Sequence, residues 1–359
     1  MRILQIIDSL EAGGAERMAV SYANALADKI DFSGLVATRK EGALRNQLSV
    51  NVSYLFLNKK KAIDSLALFR LRNHVVQNKV THIHAHGTSF FTAFLLKIMY
   101  PKIQLIWHDH YGNSEFLESR PLIGLKVVMP FFKGIIAVNK KLKRWSEEKK
   151  LSKKVIYLPN FPSQDSDVIG HTFLKGTMGK RIISLANLRE QKNHFLLVEV
   201  AKMIKKSHPD WTFHLVGKDF EDDYSQEIKN RILNFHLENS IFIYGSKQDV
   251  KNILEQSTIA VLTSFSEGLP VALLEYGWHG KPVVVTNVGE IPMLIQNGSN
   301  GFVVETNTVS SFYEALIKLI ESDTLQVNFG KTLRQDIINN YSEESVIDEY
   351  LNWVQNNCK

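Results

Sequence analysis

Short apolar runs of strand character alternate with helical apolar spacing along nearly the whole chain, and this alternation constrains the fold more than any other feature. Residues 3–8 read as a buried strand, followed by helical spacing over 16–27. Strands at 34–38, 52–57, 81–85, 104–107 and 134–138 alternate with helical stretches at 62–78, 90–99 and 121–132. The pattern breaks across 159–179, where Pro159, Pro162, Ser163, Ser166, Gly170, Gly176 and Gly179 leave little periodicity. It restarts with strands at 181–186, 212–217, 241–244, 259–263, 282–286 and 301–304. Helical stretches at 195–205, 224–235, 250–256, around Glu275 and at 311–322 separate or follow them. Such alternation calls for a parallel sheet covered on both faces. The expectation is an α/β protein of two Rossmann-like domains, 1–160 and 161–340. A C-terminal segment, 341–359, carries an amphipathic helix at 343–354 expected to pack back toward the first domain.

Size and composition agree with two domains. The chain has 359 residues, and single cores stop growing near ~250–300. A single cysteine, Cys358, excludes an internal disulfide framework and a multi-thiolate metal site. The N-terminus enters a strand with no signal-type apolar region, and no apolar run approaches the ~18–20 residues that cross a bilayer. A cytoplasmic location is therefore expected. Charge is uneven: residues 1–160 hold 25 Lys+Arg against 12 Asp+Glu, and the remainder 18 against 25. A basic half joined to an acidic half suggests that the first faces an anionic partner.

Glu267 and Glu275 stand out as candidate functional groups. The run Ser266-Glu-Gly-Leu-Pro-Val-Ala-Leu-Leu-Glu275 holds a turn with Gly268 and Pro270, then an apolar stretch suited to a helix. A helix N-terminus presents unpaired N–H groups and partial positive charge, a ready phosphate site. At ~1.5 Å per residue the carboxylates would lie roughly 12 Å apart, with Glu275 about two turns inside. That spacing suits a sugar nucleotide gripped at hexose and ribose. A solvated helix cap plus an exposed glutamate explains the spacing alone equally well.

The flanking sequence decides between them. From Thr258 through Ser264, Glu267, Glu275 and the Gly280-Lys-Pro282 turn to Thr286, the chain resembles the donor-binding segment of the retaining family 4 glycosyltransferases. The resemblance covers nearly the whole chain and is strongest over 181–304. It implies the glycosyltransferase-B fold, with two domains facing a central cleft, where ligands usually bind. It also implies that Glu267 contacts the donor sugar, that Glu275 holds the ribose hydroxyls, and that backbone N–H groups near Gly268 and Leu269 meet the distal phosphate.

Other positions follow from the same resemblance. Gly13 and Gly14, in the loop Ala12-Gly-Gly-Ala-Glu16-Arg17, would lie at the diphosphate, although a tight turn explains an isolated Gly-Gly; Glu16 reads as a first-turn helix-stabilising acid. In Leu185-Ala-Asn187-Leu-Arg189-Glu-Gln-Lys192, Lys192 matches the family's diphosphate lysine. Asn187 stands where an arginine is usual, so a bidentate cation is missing unless Arg189 turns inward. Gly217 and Lys218 would border the nucleoside, and the turn at Gly245 the base. No catalytic role is assigned to the loop 287–292.

Histidines cluster at His82, His84 and His86 and at His108 and His110, each group at a strand C-terminal end, where open parallel sheets place ligands. His110 aligns best with a family histidine near the donor sugar, with His108 the competing alignment and an acceptor-side candidate beside His86, for which a histidine satisfied within its loop is an equal alternative. Alternating histidines also suit a metal, but only Asp109 accompanies them and a metal needs a definite ligand set, so no metal is expected. Basic runs occur at Asn58-Lys-Lys-Lys61 and at Lys140-Lys-Leu-Lys-Arg-Trp145, continuing to Lys149, Lys150, Lys153 and Lys154. Trp145 among cations suits a membrane interface, the alternative being a solvated helix face. No recognition motif supports nucleic acid.

The implied activity is transfer of a sugar, with retention, from a UDP- or GDP-linked donor to a hydroxyl of a glycan or lipid-linked acceptor in surface polysaccharide or lipopolysaccharide assembly, without a cofactor. Lys192 and helix-terminal N–H groups would stabilise the leaving diphosphate, with Glu267, His110 and Lys192 the catalytic candidates. A sugar-nucleotide epimerase of the same fold and a non-catalytic sugar-nucleotide-binding subunit stand as alternatives. A nicotinamide enzyme is disfavoured, since Gly-x-Gly-x-x-Gly is absent.

Overall fold

The computed structural model describes residues 1–11, 13–112, 117–162 and 170–358. Ala12 of the first glycine loop, and Ser163 and Ser166 of the interruption, lie outside the described residues. The chain forms two compact units: Met1–Ser163 with Glu343–Lys359, and Gln164–Ser342.

The first unit runs β1 (Arg2–Ser9), α1 (Gly14–Ala27), β2 (Phe32–Lys40), β3 (Ser53–Phe56), α2 (Ser65–Gln77), β4 (His82–His86), α3 (Phe90–Met99), β5 (Gln104–Asp109), α4 (Ile123–Val128), β6 (Gly134–Ala137), α5 (Lys140–Glu148) and β7 (Val155–Tyr157). Its sheet is parallel, in the order β3-β2-β1-β4-β5-β6-β7. Strand side chains alternate between faces. Leu4, Ile6, Ile83, Ala85, Leu105 and Trp107 pack on one face beneath α2, α3, α4 and α5. Ile7, Leu35 and Ala37 pack on the other beneath Ala19, Val20 and Ala23 of α1.

The second unit runs β8 (Arg181–Leu185), α6 (His194–Ser207), β9 (Thr212–Val216), α7 (Asp223–Asn234), β10 (Ile241–Ile243), α8 (Val250–Glu255), β11 (Ile259–Leu262), α9 (Val271–Trp278), β12 (Val283–Thr286), α10 (Ile291–Leu294), β13 (Phe302–Val304), α11 (Val309–Ile320) and α12 (Asp323–Asn340). The sheet order is β10-β9-β8-β11-β12-β13, again parallel. In both sheets the order reverses beside the first strand, the topology that places loops for ligands at strand C-terminal ends.

The last helix, α13 (Glu343–Asn357), belongs to the first unit. Tyr350 packs on the rings of Tyr22 and His84, Lys29 pairs with Asp348 at 2.6 Å, and His82 Nε2 donates to the Cys358 carbonyl at 3.0 Å.

Two readings of the basic runs are corrected. Trp145 is 4% exposed and packs in the core with Trp107 and Leu151, so it lies at no membrane interface; the lysines and arginine of α5 lie off the buried face formed by Leu142, Trp145 and Ser146. Lys59 turns inward as well, donating to Thr92 Oγ1 at 2.6 Å. Helix α12, with no counterpart in the sequence reading, shows why a narrow seam escapes pattern reading. It buries only Phe329, Gly330, Leu333 and Ile337, and a β-carbon at Gly277 of α9 would lie 2.5 Å from Ile337. Among the described residues no helix is long and apolar enough to cross a membrane.

Candidate functional site

In the second unit, three loops at strand C-terminal ends meet around Glu267. The loop after β11 is tied to the loop after β8: Thr263 Oγ1 donates to the Lys192 carbonyl at 2.9 Å, Phe265 N–H to the Gln191 carbonyl at 2.8 Å, and Gln191 Nε2 to the Ser266 carbonyl at 2.7 Å. The loop after β12 closes the third side. Gly289 has φ 59°, and a β-carbon there would lie 2.0 Å from the Glu267 carbonyl oxygen, so glycine is required on both counts. Glu290 N–H then donates to the Gly268 carbonyl at 3.1 Å. The sequence reading left this loop without a role; its work is to shape the backbone of Glu267.

Within this frame Lys192 Nζ lies 2.5 Å from Glu267 Oε1, which also accepts from Ser264 Oγ at 2.6 Å. Glu267 is 5% exposed and Glu275 6% exposed, so both carboxylates are held in the fold rather than solvated at a helix surface. The spacing estimate is corrected here. Residues 267–270 form a turn and the helix begins at Val271, which puts Glu275 about one turn inside α9. Leu269 is buried and Gly268 half-buried just before the helix.

The missing arginine finds an explanation nearby. Asn187 Oδ1 accepts from Lys218 N–H at 2.8 Å and so joins the ends of β8 and β9, a tie no arginine makes. Arg189 is exposed, its guanidinium 4.5 Å from the Phe220 ring, which Lys218 Nζ also approaches at 5.1 Å. Phe220 thus gathers two cations that the sequence does not place together. Gly217 is a packing glycine: a β-carbon would lie 2.1 Å from the Ala186 carbonyl oxygen.

In the first unit, Gly13 caps α1 in extended backbone, and the Glu16 carboxylate lies where a Gly13 side chain would start; Gly14 is open, with nothing near a β-carbon. The histidines are brought together by period and register. His84, His86 and His108 occupy alternate positions, Gln5 pairs with His84 and His86 with His108, so all four project from one sheet face. His84 Nε2 meets His108 Nδ1 at 3.1 Å, and His86 reaches His110 Nε2 through Nδ1 and Gln5 Oε1 through Nε2, both at 2.9 Å. His86 and His108 are 0% and 1% exposed. Their reading as acceptor-side groups is corrected: they touch neighbouring side chains, while the half-buried His110 stands nearer the surface.

Burial holds the imidazoles neutral. It lowers His110 to about 3 and keeps His84, His86 and His108 well below the usual histidine range, with neighbouring histidines adding to the effect. Nitrogens of His84, His86 and His108 come within 4.8 Å of one another, close enough for one metal ion. Both His86 nitrogens and one each of His84 and His108 are already engaged in hydrogen bonds, so the arrangement fits a bonded imidazole stack better. On the opposite face Asp109 takes a bidentate pair from Arg120, at 2.7 and 2.8 Å, and its Oδ1 accepts from Tyr111 N–H at 3.2 Å. Arg120 lies over the rings of Trp107, Tyr111 and Trp145. The turn carrying His110 is fixed from both sides.

Comparison with known proteins places these features. A family model described as Glycosyl transferases group 1 matches residues 171–336, and one described as Glycosyltransferase Family 4 matches residues 12–161. The chain is 24% identical to the UDP-Gal:alpha-D-GlcNAc-diphosphoundecaprenol alpha-1,3-galactosyltransferase of Escherichia coli, over 96% of this chain and 95% of that protein. It is 23% identical to the amylovoran biosynthesis glycosyltransferase AmsD of Erwinia amylovora, over 97% and 98%. The solved structure of Anabaena Alr3699/HepE with UDP and glucose superposes with a TM-score of 0.79 at 18% identity, covering 99% of this chain and 100% of that one. With one match in each unit and the architecture shared end to end, the chain belongs to the family 4 glycosyltransferases and has their glycosyltransferase-B fold.

Proposed function

We propose that this glycosyltransferase moves a sugar, with retention, from a UDP-linked donor to a hydroxyl of a glycan or lipid-linked acceptor in the assembly of a surface polysaccharide. The observation that carries the reading is the Lys192–Glu267 pair, held by three strand-end loops directly before α9, with Glu275 one turn further on. Lys192 and the N–H groups opening α9 would stabilise the leaving diphosphate. Glu267, oriented by Ser264, would bind the donor sugar, and Glu275 the ribose. The departing phosphate oxygen can take the acceptor's proton on the face it leaves, so no side-chain nucleophile is demanded. His110 is assigned to a substrate hydroxyl. UDP is favoured over GDP by the donor named for the Escherichia coli relative and by the ligand of the Anabaena protein.

A second part of the reading concerns the acceptor. α2 exposes Leu66 and Phe69, and α4 exposes Ile123 and Val127, with Lys60, Lys61 and Lys126 exposed beside them. Since α2 and α4 cover the same sheet face, apolar side chains and cations share a side suited to an anionic membrane. On this reading the enzyme works at the cytoplasmic surface of the cell membrane, where a lipid-linked acceptor would be met.

The test is a kinetic and calorimetric comparison of Glu267→Ala and Glu275→Ala. The first should lose transfer by at least a hundredfold while donor Kd changes less. The second should raise donor Kd about tenfold or more. Wild-type turnover in Glu267→Ala, or an unchanged Kd in Glu275→Ala, refutes the assignment. Thermal stabilisation by UDP-sugars over GDP-sugars checks the base.

A further inference from the structure

His86 stands between Gln5 and His110, and the chemistry of these three groups leaves little freedom. Its Nε2 lies 2.9 Å from Gln5 Oε1 and its Nδ1 2.9 Å from His110 Nε2. An amide oxygen only accepts, so His86 Nε2 carries the proton. A neutral imidazole has a single N–H, which makes His86 Nδ1 an acceptor. His110 Nε2 must then be the donor, and His110 Nδ1 is left as the unprotonated nitrogen.

We propose that Gln5 and His86 are positioning residues that set the tautomer of His110, so that it offers the lone pair of Nδ1 to a substrate hydroxyl. The inference rests on the reading of His110 as a group that meets such a hydroxyl. Three further observations support it. Gln5 and His86 come from one sheet face through the register of β1, β4 and β5, and His110 directly follows β5, which gives the relay a rigid base. Gln5 and His86 are both 0% exposed, so water does not compete for their hydrogen bonds. The bidentate Asp109–Arg120 pair fixes the residue directly before His110 from the other face, so the ring is held in place while the relay orders its protons. In this arrangement the base is specified from the buried end of the relay, much as a metal-ligating or catalytic histidine is oriented by the partner of its second nitrogen. Burial keeps the chain neutral, since both imidazoles are held well below the usual range.

The experiment uses full-length protein with ¹⁵N-labelled histidine. Long-range ¹H–¹⁵N spectra report the tautomer of each ring, and His110→Gln identifies the His110 signals. Wild type should show His110 as the Nε2–H tautomer. Gln5→Leu removes the acceptor on His86 and should convert His110 to a mixture, with kcat reduced about tenfold and donor KM within about twofold. Gln5→Glu retains an acceptor and should restore both tautomer and kcat, which a merely structural role for position 5 would not require. An Nδ1–H tautomer at His110 in wild type overturns the proposal, since it means the amide faces the other way and every proton in the chain is reversed. An unchanged tautomer in Gln5→Leu overturns it as well. A shifted tautomer with unchanged kcat overturns the positioning role and leaves sugar transfer standing, whereas failure of the transfer reading shows separately, as absence of nucleotide release by wild type.

Discussion

Lys192 Nζ and Glu267 Oε1 lie 2.5 Å apart although 75 residues separate them in the chain. The carboxylate is 7% exposed and the ammonium 23%. Neither would hold this position alone. Thr263 and Gln191 stitch the two loops together through backbone carbonyls, and Ser264 adds a second donor to the same carboxylate oxygen.

Breaking the pair from the lysine side strands a mostly buried carboxylate, the costly direction. Lys192→Met should destabilise the second unit by about 1–3 kcal/mol, less than a fully buried pair because the ammonium is partly solvated. Glu267→Gln, which keeps an acceptor for Ser264, should cost less. A double-mutant cycle followed by urea denaturation should give a coupling of about 1–2 kcal/mol. Strict additivity of the two changes would show that the contact carries no stability.

Arg189 occupies a different position in this balance. Its guanidinium is exposed and lies on Phe220 at 4.5 Å, where solvent screens its charge. Arg189→Ala should therefore change donor Kd by less than about threefold, while Lys192→Ala raises it more than about tenfold. Calorimetry with UDP and a UDP-sugar measures both. Equal losses would mean that Arg189 takes the place of the arginine missing at Asn187.

Much of this molecule can be read from residue order alone, and the exceptions have a common cause. Period and composition give both α/β halves, because buried parallel strands are near-continuous apolar runs. They also give the Glu267–Glu275 segment, because turn and helix signals there are local. What depends on parallel register is invisible: nothing in the sequence says that Gln5 lies beside His84 or that His86 lies beside His108. Trp145 misleads because its neighbours in sequence are cations, whereas its neighbours in space are Trp107 and Arg120. Only the helical phase of Leu142, Trp145 and Ser146 distinguishes the two outcomes.

The Asp109–Arg120 pair makes a second stability test. Asp109 is 1% exposed and the Arg120 side chain 9%, with two hydrogen bonds and three aromatic neighbours. Arg120→Met should destabilise the first unit by about 3–5 kcal/mol, since it leaves a buried carboxylate unpaired. Asp109→Asn combined with Arg120→Met should recover part of that loss, because the charge is gone. Urea denaturation of the three variants checks the order, and a double variant no more stable than Arg120→Met would contradict it.

The histidine stack predicts loss of stability in mild acid. Unfolded histidines titrate near about 6.5, and burial lowers His110 to about 3 and His84, His86 and His108 well below the usual range. Between those values the unfolded chain binds protons that the folded chain refuses. Stability is therefore complete above the unfolded value and falls as pH drops through it, by up to about 1.4 kcal/mol per pH unit for each histidine. Replacing His84 by Phe, between Tyr22 and Tyr350, should flatten the slope of unfolding free energy between pH 6.5 and 5 by about one proton. An unaltered slope would show that the buried ring is protonated in the folded state.

Membrane docking is the prediction for which burial changes the choice of residues. Trp145 is internal, so Trp145→Phe should lower stability and leave vesicle binding as it is. The side chains that can enter a headgroup layer are Leu66, 76% exposed, and Phe69, 54% exposed, one helical turn apart on α2. Exposed Lys60 and Lys61 sit just before that helix, and each cation contributes about 1 kcal/mol near an anionic surface. Sedimentation with vesicles containing about one third phosphatidylglycerol should capture the wild type, and neutral vesicles should capture far less. Leu66→Gln with Phe69→Gln should weaken capture by at least about tenfold, because two apolar side chains no longer leave water. Lys60→Gln with Lys61→Gln should weaken it most at low salt, where charge attraction is least screened. Equal capture by neutral and anionic vesicles would remove the electrostatic part, and undiminished capture of the Leu66 and Phe69 variant would remove α2 as the docking face.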